Sequence, residues 1–228
     1  MELKLKDLNL EFKSQEMYGV IDECHVLKKQ LEISKEIGYI YHKNYLTKTV
    51  SDEFYLVKKK IANVDNYIEK IISSLNMIGL SEDYLEREIV TLSKTEKILL
   101  EIAVNLITNP DVIILDNVLS NLDRKHKLII KQILLELKKK YDKTIIIIDD
   151  NINILYEFCT YLIVFKDRDL LVNDKMSNVF LNTSYLIDNN IEIPEIIKFS
   201  LIADQYGKKI KFHNNVNDLI KDVYKNAR

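Results

Sequence analysis

Apolar and polar positions along this chain follow two periods in turn. At the start, Leu3, Leu5, Leu8 and Leu10 recur among polar neighbours, which reads as a strand over residues 1–12. "MYGVID" at 17–22 and "IGYIYH" at 37–42 read as short buried strands, and residues 23–35 fit either element. Residues 49–78 carry a helical period that puts Tyr67, Ile71, Leu75 and Ile78 on one face. Ser93 stands where an N-cap would, with Glu96 three residues on, the spacing of a capping box. The helix it opens runs to about Thr108 and carries Ile98, Leu99, Ile102, Ala103 and Leu106 at helical spacing. "DVIIL" and "TIIIID" (144–149) are apolar runs of strand length. Between them, residues 124–141 form an amphipathic helix with Ile129, Ile133, Leu134 and Leu137 inward. A helix at 151–158 and a strand "YLIVFK" at 161–166 follow, and the pattern changes after Leu171.

Apolar strands alternating with helices predict an α/β fold, a mainly parallel sheet covered on both faces. In such sheets ligands gather beyond the carboxyl ends of the strands. Asp116 and the pair Asp149 and Asp150 fall at such ends. Asp116 could hold magnesium there; the plainer reading is a loop cap or a solvent-facing carboxylate. Adjacent strand residues point to opposite faces, so Asp149 and Asp150 are not expected to share a site.

Composition narrows the picture. With 47% apolar residues among 228 the chain can bury a substantial core. A net charge of −2 gives no whole-molecule attraction to nucleic acid or anionic lipid. The short runs "VKKK" and "LKKKYDK" read as solvated faces. Cys24 and Cys159 lack metal-ligand spacing and are expected to be reduced. No signal-peptide core or bilayer-length apolar run occurs, so a cytoplasmic place is expected, with any membrane contact made through a partner. Glycine is scarce at four residues, all isolated, and neither GxxxxGK[ST] nor GxGxxG occurs. His42 lies among Tyr39, Tyr41 and Tyr45 and reads as a surface histidine or part of a docking surface, while His25, His126 and His213 have no nameable partners.

"TLSKTEKILLEIAVNLITNPDVIILDNVLSNLD" resembles the run of an ABC transporter ATP-binding subunit from its signature through the Walker B strand to the D-loop. "TIIIIDDN" is similar to the strand that ends at the family's switch histidine, and "IGYIYHKNYLTKTVSDE" to its Q-loop segment. "TVSDE" and the tail "IEIPEIIKFSLIADQYGKKI" resemble the energy-coupling-factor (cobalt-type) branch. The resemblance implies a P-loop-NTPase-like cassette over residues 1–180, with a helical signature region at about 50–108 and a C-terminal extension at 181–228. Ser93 and Glu96 fall on signature positions, Asp116 on the Walker B aspartate, Asp123 on the D-loop and His42 on the Q-loop glutamine position. By resemblance these five would be the nucleotide contacts, with Asp116 the magnesium ligand.

The departures imply a weakened member. "LKDLNLEFKSQEMYGVID" looks like the approach to a Walker A loop, yet "ECHVLKKQLEIS" leads straight to the Q-loop segment. The upstream adenine-stacking aromatic has no obvious counterpart. Lys94 and Thr95 replace the signature glycines, Asn117 takes the catalytic glutamate position and Asp150 the switch histidine position. No catalytic residue is therefore expected. Phosphoryl transfer rests on positioning and electrostatics, and most of the groups that supply them are missing. The expectation is a non-catalytic cassette that binds no nucleotide alone, or shares Mg-ATP with a paralogous ABC ATPase subunit beneath an integral membrane transport subunit. The segment His42 to Glu53 and the helix at 63–78 would meet the membrane subunit, and the tail the partner cassette. The alternatives are a soluble regulatory module that has left transport, and a residual ATPase acting alone.

Overall fold

A computed structural model describes residues 3–5, 8, 10–31, 37–58, 66–208, 210–213 and 216–226. The expected strand over 1–12 is instead two antiparallel strands, β1 (Leu3–Leu5) and β2 (Leu10–Phe12). Both keep the apolar alternation, so period alone could not reveal the reversal. β3 (Met17–Asp22) leads into a short helix, α1 (Val26–Leu31), within the ambiguous stretch, of which residues 32–35 lie outside the described residues. β4 (Ile37–Tyr41) is followed by α2 (Val50–Lys58) and α3 (Tyr67–Met77). The single helical run read at 49–78 is thus two helices; residues 59–65 of it lie outside the described residues. Two short 3-10 turns lead to α4 (Lys94–Leu106), then β5 (Val112–Asp116), α5 (Arg124–Tyr141) and β6 (Thr144–Ile148). α6 (Ile152–Phe158) and β7 (Tyr161–Lys166) follow as expected. β8 (Asp169–Lys175) was not anticipated: it is a polar edge strand with only Val172 buried. α7 (Met176–Val179), α8 (Thr183–Asp188), α9 (Glu195–Gln205) and α10 (Val216–Asn226) complete the described chain.

Six strands form one sheet in the order β4-β5-β6-β3-β7-β8, with β8 alone antiparallel. Every residue of β5 and β6 is buried, as a parallel sheet sandwiched by other elements requires. Ile113, Leu115, Ile145 and Ile147 face the larger core, built with α3, α4, α5 and α6. Val112, Ile114, Ile146 and Ile148 face a smaller core closed by Phe12 and Leu27. This is the α/β fold with a mainly parallel, two-faced sheet that the sequence predicts.

α4 is buried nearly all round, because it lies between the sheet and α3. Its cap is the expected one: Ser93 accepts from the Glu96 N–H, and the Glu96 carboxylate accepts from the Ser93 N–H at 2.8 Å. On α5 the inward residue is Ile130 rather than Ile129, which stays exposed. The C-terminal helices are tied back to the sheet domain. Tyr156 donates to the His213 carbonyl, and the Glu195 N–H donates to Asn153. His213 itself meets Asp222 at 3.0 Å, and His126 meets Asp123 at 2.6 Å, so both histidines have the partners the sequence could not name.

Candidate nucleotide site

The carboxyl ends of the strands gather most of the candidate residues. In register, Tyr41 on β4 lies beside Asp116 on β5, and Asp116 beside Ile148 on β6, which in turn lies beside Val20 on β3. Asp116, Asp149 and Asp22 therefore all lie toward the carboxyl ends of neighbouring strands.

Asp116 does not face solvent. It is buried, and the Tyr39 hydroxyl donates to its Oδ2 at 2.7 Å. Tyr39 sits two residues before Tyr41 on the neighbouring strand and so points to the same face. Asn117, which follows Asp116, turns into the left-handed region at φ 52° and gives its N–H to the Ile148 carbonyl. An asparagine tolerates that conformation and its amide offers no base for activating water.

Asp149 and Asp150 part company as expected: Asp149 is buried and Asp150 exposed. Ser120, in the turn after β5, donates to Asp149 Oδ1 at 2.6 Å, and the Asn151 N–H donates to the same oxygen. Oδ2 is buried with no partner among the described residues. Burial raises the Asp149 pKa, and the two hydrogen bonds only partly offset it.

The turn from β3 to α1 is where a phosphate loop would lie, and it holds only Glu23, Cys24 and His25. The first N–H groups of α1 are already taken. Val26 N–H donates to Asp22 Oδ1 at 2.7 Å and Leu27 N–H to Asp22 Oδ2 at 2.9 Å. A buried carboxylate of the chain itself thus fills the place of an anion at this helix start. Asp22 was not singled out in the sequence, although an acid just before a helix is a capping signal.

Glu96 is used within the fold. Besides its bonds to Ser93 it accepts from Tyr84 and Arg87, and together these, the Ser93 bonds foremost, hold its carboxyl down at about 2. Asp123 caps α5 by accepting from the His126 N–H. His42 is exposed, as expected, and lines a cavity of about 270 Å³ with Tyr41, Lys94, Lys97 and Asn121. Ser93, Glu96, Asp116 and Asp123 do not line it. Beside it, Lys43 reaches both Glu53 and Glu101 at 2.8 Å. Burial pulls the Lys43 ammonium down, and the two carboxylates more than offset that, leaving its pKa raised. Nothing in the spacing of Lys43, Glu53 and Glu101 announces this cluster. Among the described residues no group of three or more His, Cys, Asp or Glu is placed to hold a metal ion.

A family profile described as ABC transporter matches residues 9–120. The energy-coupling factor transporter ATP-binding protein EcfA of Malacoplasma penetrans is 29% identical over 158 residues, 69% of this chain and 55% of that protein. The chain thus spans little more than half of that relative. EcfA2 of Mesomycoplasma hyopneumoniae (strain J) is 24% identical over 228 residues, 96% of this chain and 76% of that protein. Among solved structures, cbiO1 from Clostridium perfringens, described as part of the ABC transporter complex cbiONQ, superposes with a TM-score of 0.66. That match covers 87% of this chain and 95% of that one at 20% identity, a likeness of fold.

Proposed function

We propose that this chain, whose residues 9–120 match an ABC transporter profile and whose relatives include energy-coupling factor ATP-binding proteins, serves such a transporter as a non-catalytic partner cassette. Residues 1–180 act as the cassette and 181–228 as an extension that meets a second cassette. The observation that carries the reading is Asp22, whose carboxylate takes the α1 N–H groups where a bound phosphate would need them. A phosphate there would have to displace a buried charge that is already hydrogen-bonded, and would meet like-charge repulsion from it. Asn117 in place of a carboxylate and Asp150 in place of a histidine support the same reading. Asp116, held by Tyr39, is the only one of the candidate residues with a magnesium-binding role by resemblance. Any Mg-ATP would be shared, with Ser93 and Glu96 offered toward a nucleotide held by the paralogous ATPase. The chain would lie peripherally at the membrane through its partners; no described helix is long and apolar enough to cross it. The transport relatives weigh against a module that has left transport.

Thermal unfolding with and without millimolar Mg-ATP tests this. A ligand at about 100 times its Kd stabilises by about 2.7 kcal/mol, which at about 2–4 °C per kcal/mol moves Tm by roughly 5–11 °C. No shift for the chain alone is expected. A clear shift would mean that a nucleotide site survives at the strand ends, and the reading would fall.

A further inference from the structure

Residues 42–49, between β4 and α2, alternate like a strand although they belong to none. Lys43, Tyr45, Thr47 and Thr49 are half-buried, and the residues between them are exposed. A period of two marks an extended chain. Yet residues 43–47 form no backbone–backbone hydrogen bond among the described residues; the first is at Lys48, whose carbonyl accepts from the Ile89 N–H at 2.9 Å. Side chains hold the segment instead. Lys43 Nζ lies 2.8 Å from Glu53 Oε2 on α2 and 2.8 Å from Glu101 Oε1 on α4. The first contact is also a hydrogen bond. The second is an ion pair outside hydrogen-bond geometry, since Glu101 Oε1 has no hydrogen-bond partner among the described residues. Thr47 donates to the other oxygen of Glu53, and the Tyr45 hydroxyl donates to the Lys97 carbonyl at 3.2 Å. One cation of this segment thus answers two buried carboxylates that face it.

We infer that residues 42–47 are a strap that opens as one unit, and that Lys43 is the latch that keeps it shut against α2 and α4. Opening the strap breaks no backbone bond from 43 to 47, so α2, α4 and the sheet survive it, and a segment tied by few contacts is a unit of low local stability. The latch decides the balance. A closed strap without its cation would bury two unpaired carboxylates, which costs far more than the loss of a neutral tie. An open strap lets water reach them. Closure therefore depends on the Lys43 ammonium more than on Tyr45 or Thr47. The strap also supplies His42, Lys43 and Tyr45 to the cavity of about 270 Å³, whose opposite wall is α4, so opening it dismantles that cavity. Lys43 is a positioning residue here, and its role does not depend on whether the chain binds nucleotide.

Limited proteolysis of the full chain with chymotrypsin, read by mass spectrometry well below Tm, tests the inference. The bond to watch is Tyr45–Leu46, because Leu46 is 97% exposed and exposed loop tips are the usual sites of nicking. Where opening is fast relative to cleavage, the rate follows the open population. The parent should be cut slowly there. Lys43→Met should be cut about tenfold faster or more, with the bonds inside α4 and α5 still intact. Lys43→Arg keeps the charge and should stay near the parent. Adding Glu53→Gln and Glu101→Gln to Lys43→Met should slow the cutting again, since no charge is left to bury unpaired; a role in packing alone predicts no such rescue. Should Lys43→Met fail to fold, Glu53→Gln takes its place, since it keeps an oxygen for Lys43 and Thr47 but weakens the latch, and cutting faster than in the parent is then required. Equal rates in parent and variant, or cutting spread at once over the whole chain, overturn the latch. A triple variant cut as fast as Lys43→Met overturns the part given to charge.

Discussion

At Asp149 a single carboxylate carries both a tie and a penalty. One oxygen fixes the turn after β5 through Ser120, and the other is buried with no partner among the described residues. Burial raises its folded pKa above the unfolded value of about 3.9. The folded state therefore binds the proton more tightly. That contribution is fully present below the unfolded pKa and is lost as pH rises through the folded one. Asp149→Asn keeps an oxygen for Ser120 and Asn151 but cannot ionise. The Tm of the variant relative to the parent should climb as pH rises from about 4 toward neutrality, and a difference flat with pH would show that Asp149 does not titrate. Glu96 has the opposite sign. Its lowered pKa gives stability that is present above the unfolded value of about 4.3 and lost as pH falls toward about 2. Ser93 anchors that arrangement, so Ser93→Ala should cost about 0.5–2 kcal/mol, a fall in Tm of roughly 1–8 °C by calorimetry.

Between elements, the joint that matters is the segment after β4. Lys43 binds it to Glu53 of α2 and Glu101 of α4, both buried, while Thr47 also donates to Glu53 and Tyr45 donates to the Lys97 carbonyl. One cation answers two buried carboxylates, so its loss is costly. Lys43→Met should destabilise by about 3 kcal/mol, the lower end for a broken buried pair because Lys43 is partly exposed. Adding Glu53→Gln and Glu101→Gln should recover part of that loss in chemical denaturation, and a triple variant no better than Lys43→Met would argue against the charge imbalance. Such joints mark the limit of what the chain discloses as a string. The strands β3 to β7 and helices α4 to α6 were legible because each is a continuous apolar run or a repeat of its own period over five residues or more. β8 was not, because an exposed polar edge leaves no apolar signal. The Ser93 and Glu96 cap was legible because it is local. The bond from Tyr39 to Asp116 spans 77 residues, and the cluster around Lys43 spans from β4 to α4, so only the folded sheet brings them together.

Over the whole molecule, exposed apolar side chains concentrate in two places. Leu46, Tyr55, Ile68 and Val90 lie exposed across the segment after β4 and the helices that follow it. Phe199 and Ile202 on α9 and Tyr206 at its C-cap repeat at helical spacing, and Val216, Ile220 and Tyr224 recur every four residues on α10. Scattered exposed leucines need no explanation, but stripes at the helical repeat are what a partner would cover. The tail is tied to the sheet domain through Tyr156 and Asn153, so the α9 stripe is presented on a fixed base. Co-expression with a paralogous cassette should therefore yield a heterodimer by size-exclusion chromatography under mild conditions. Ile202→Glu with Tyr206→Glu should abolish it. Because both positions are more than half exposed, the substitutions should each change the stability of the isolated chain by no more than about 0.5 kcal/mol. Loss of the complex with Tm unchanged places the partner on α9. An intact complex in that variant moves the interface elsewhere, and monomer alone from the unaltered chain removes the partner cassette from the proposal altogether.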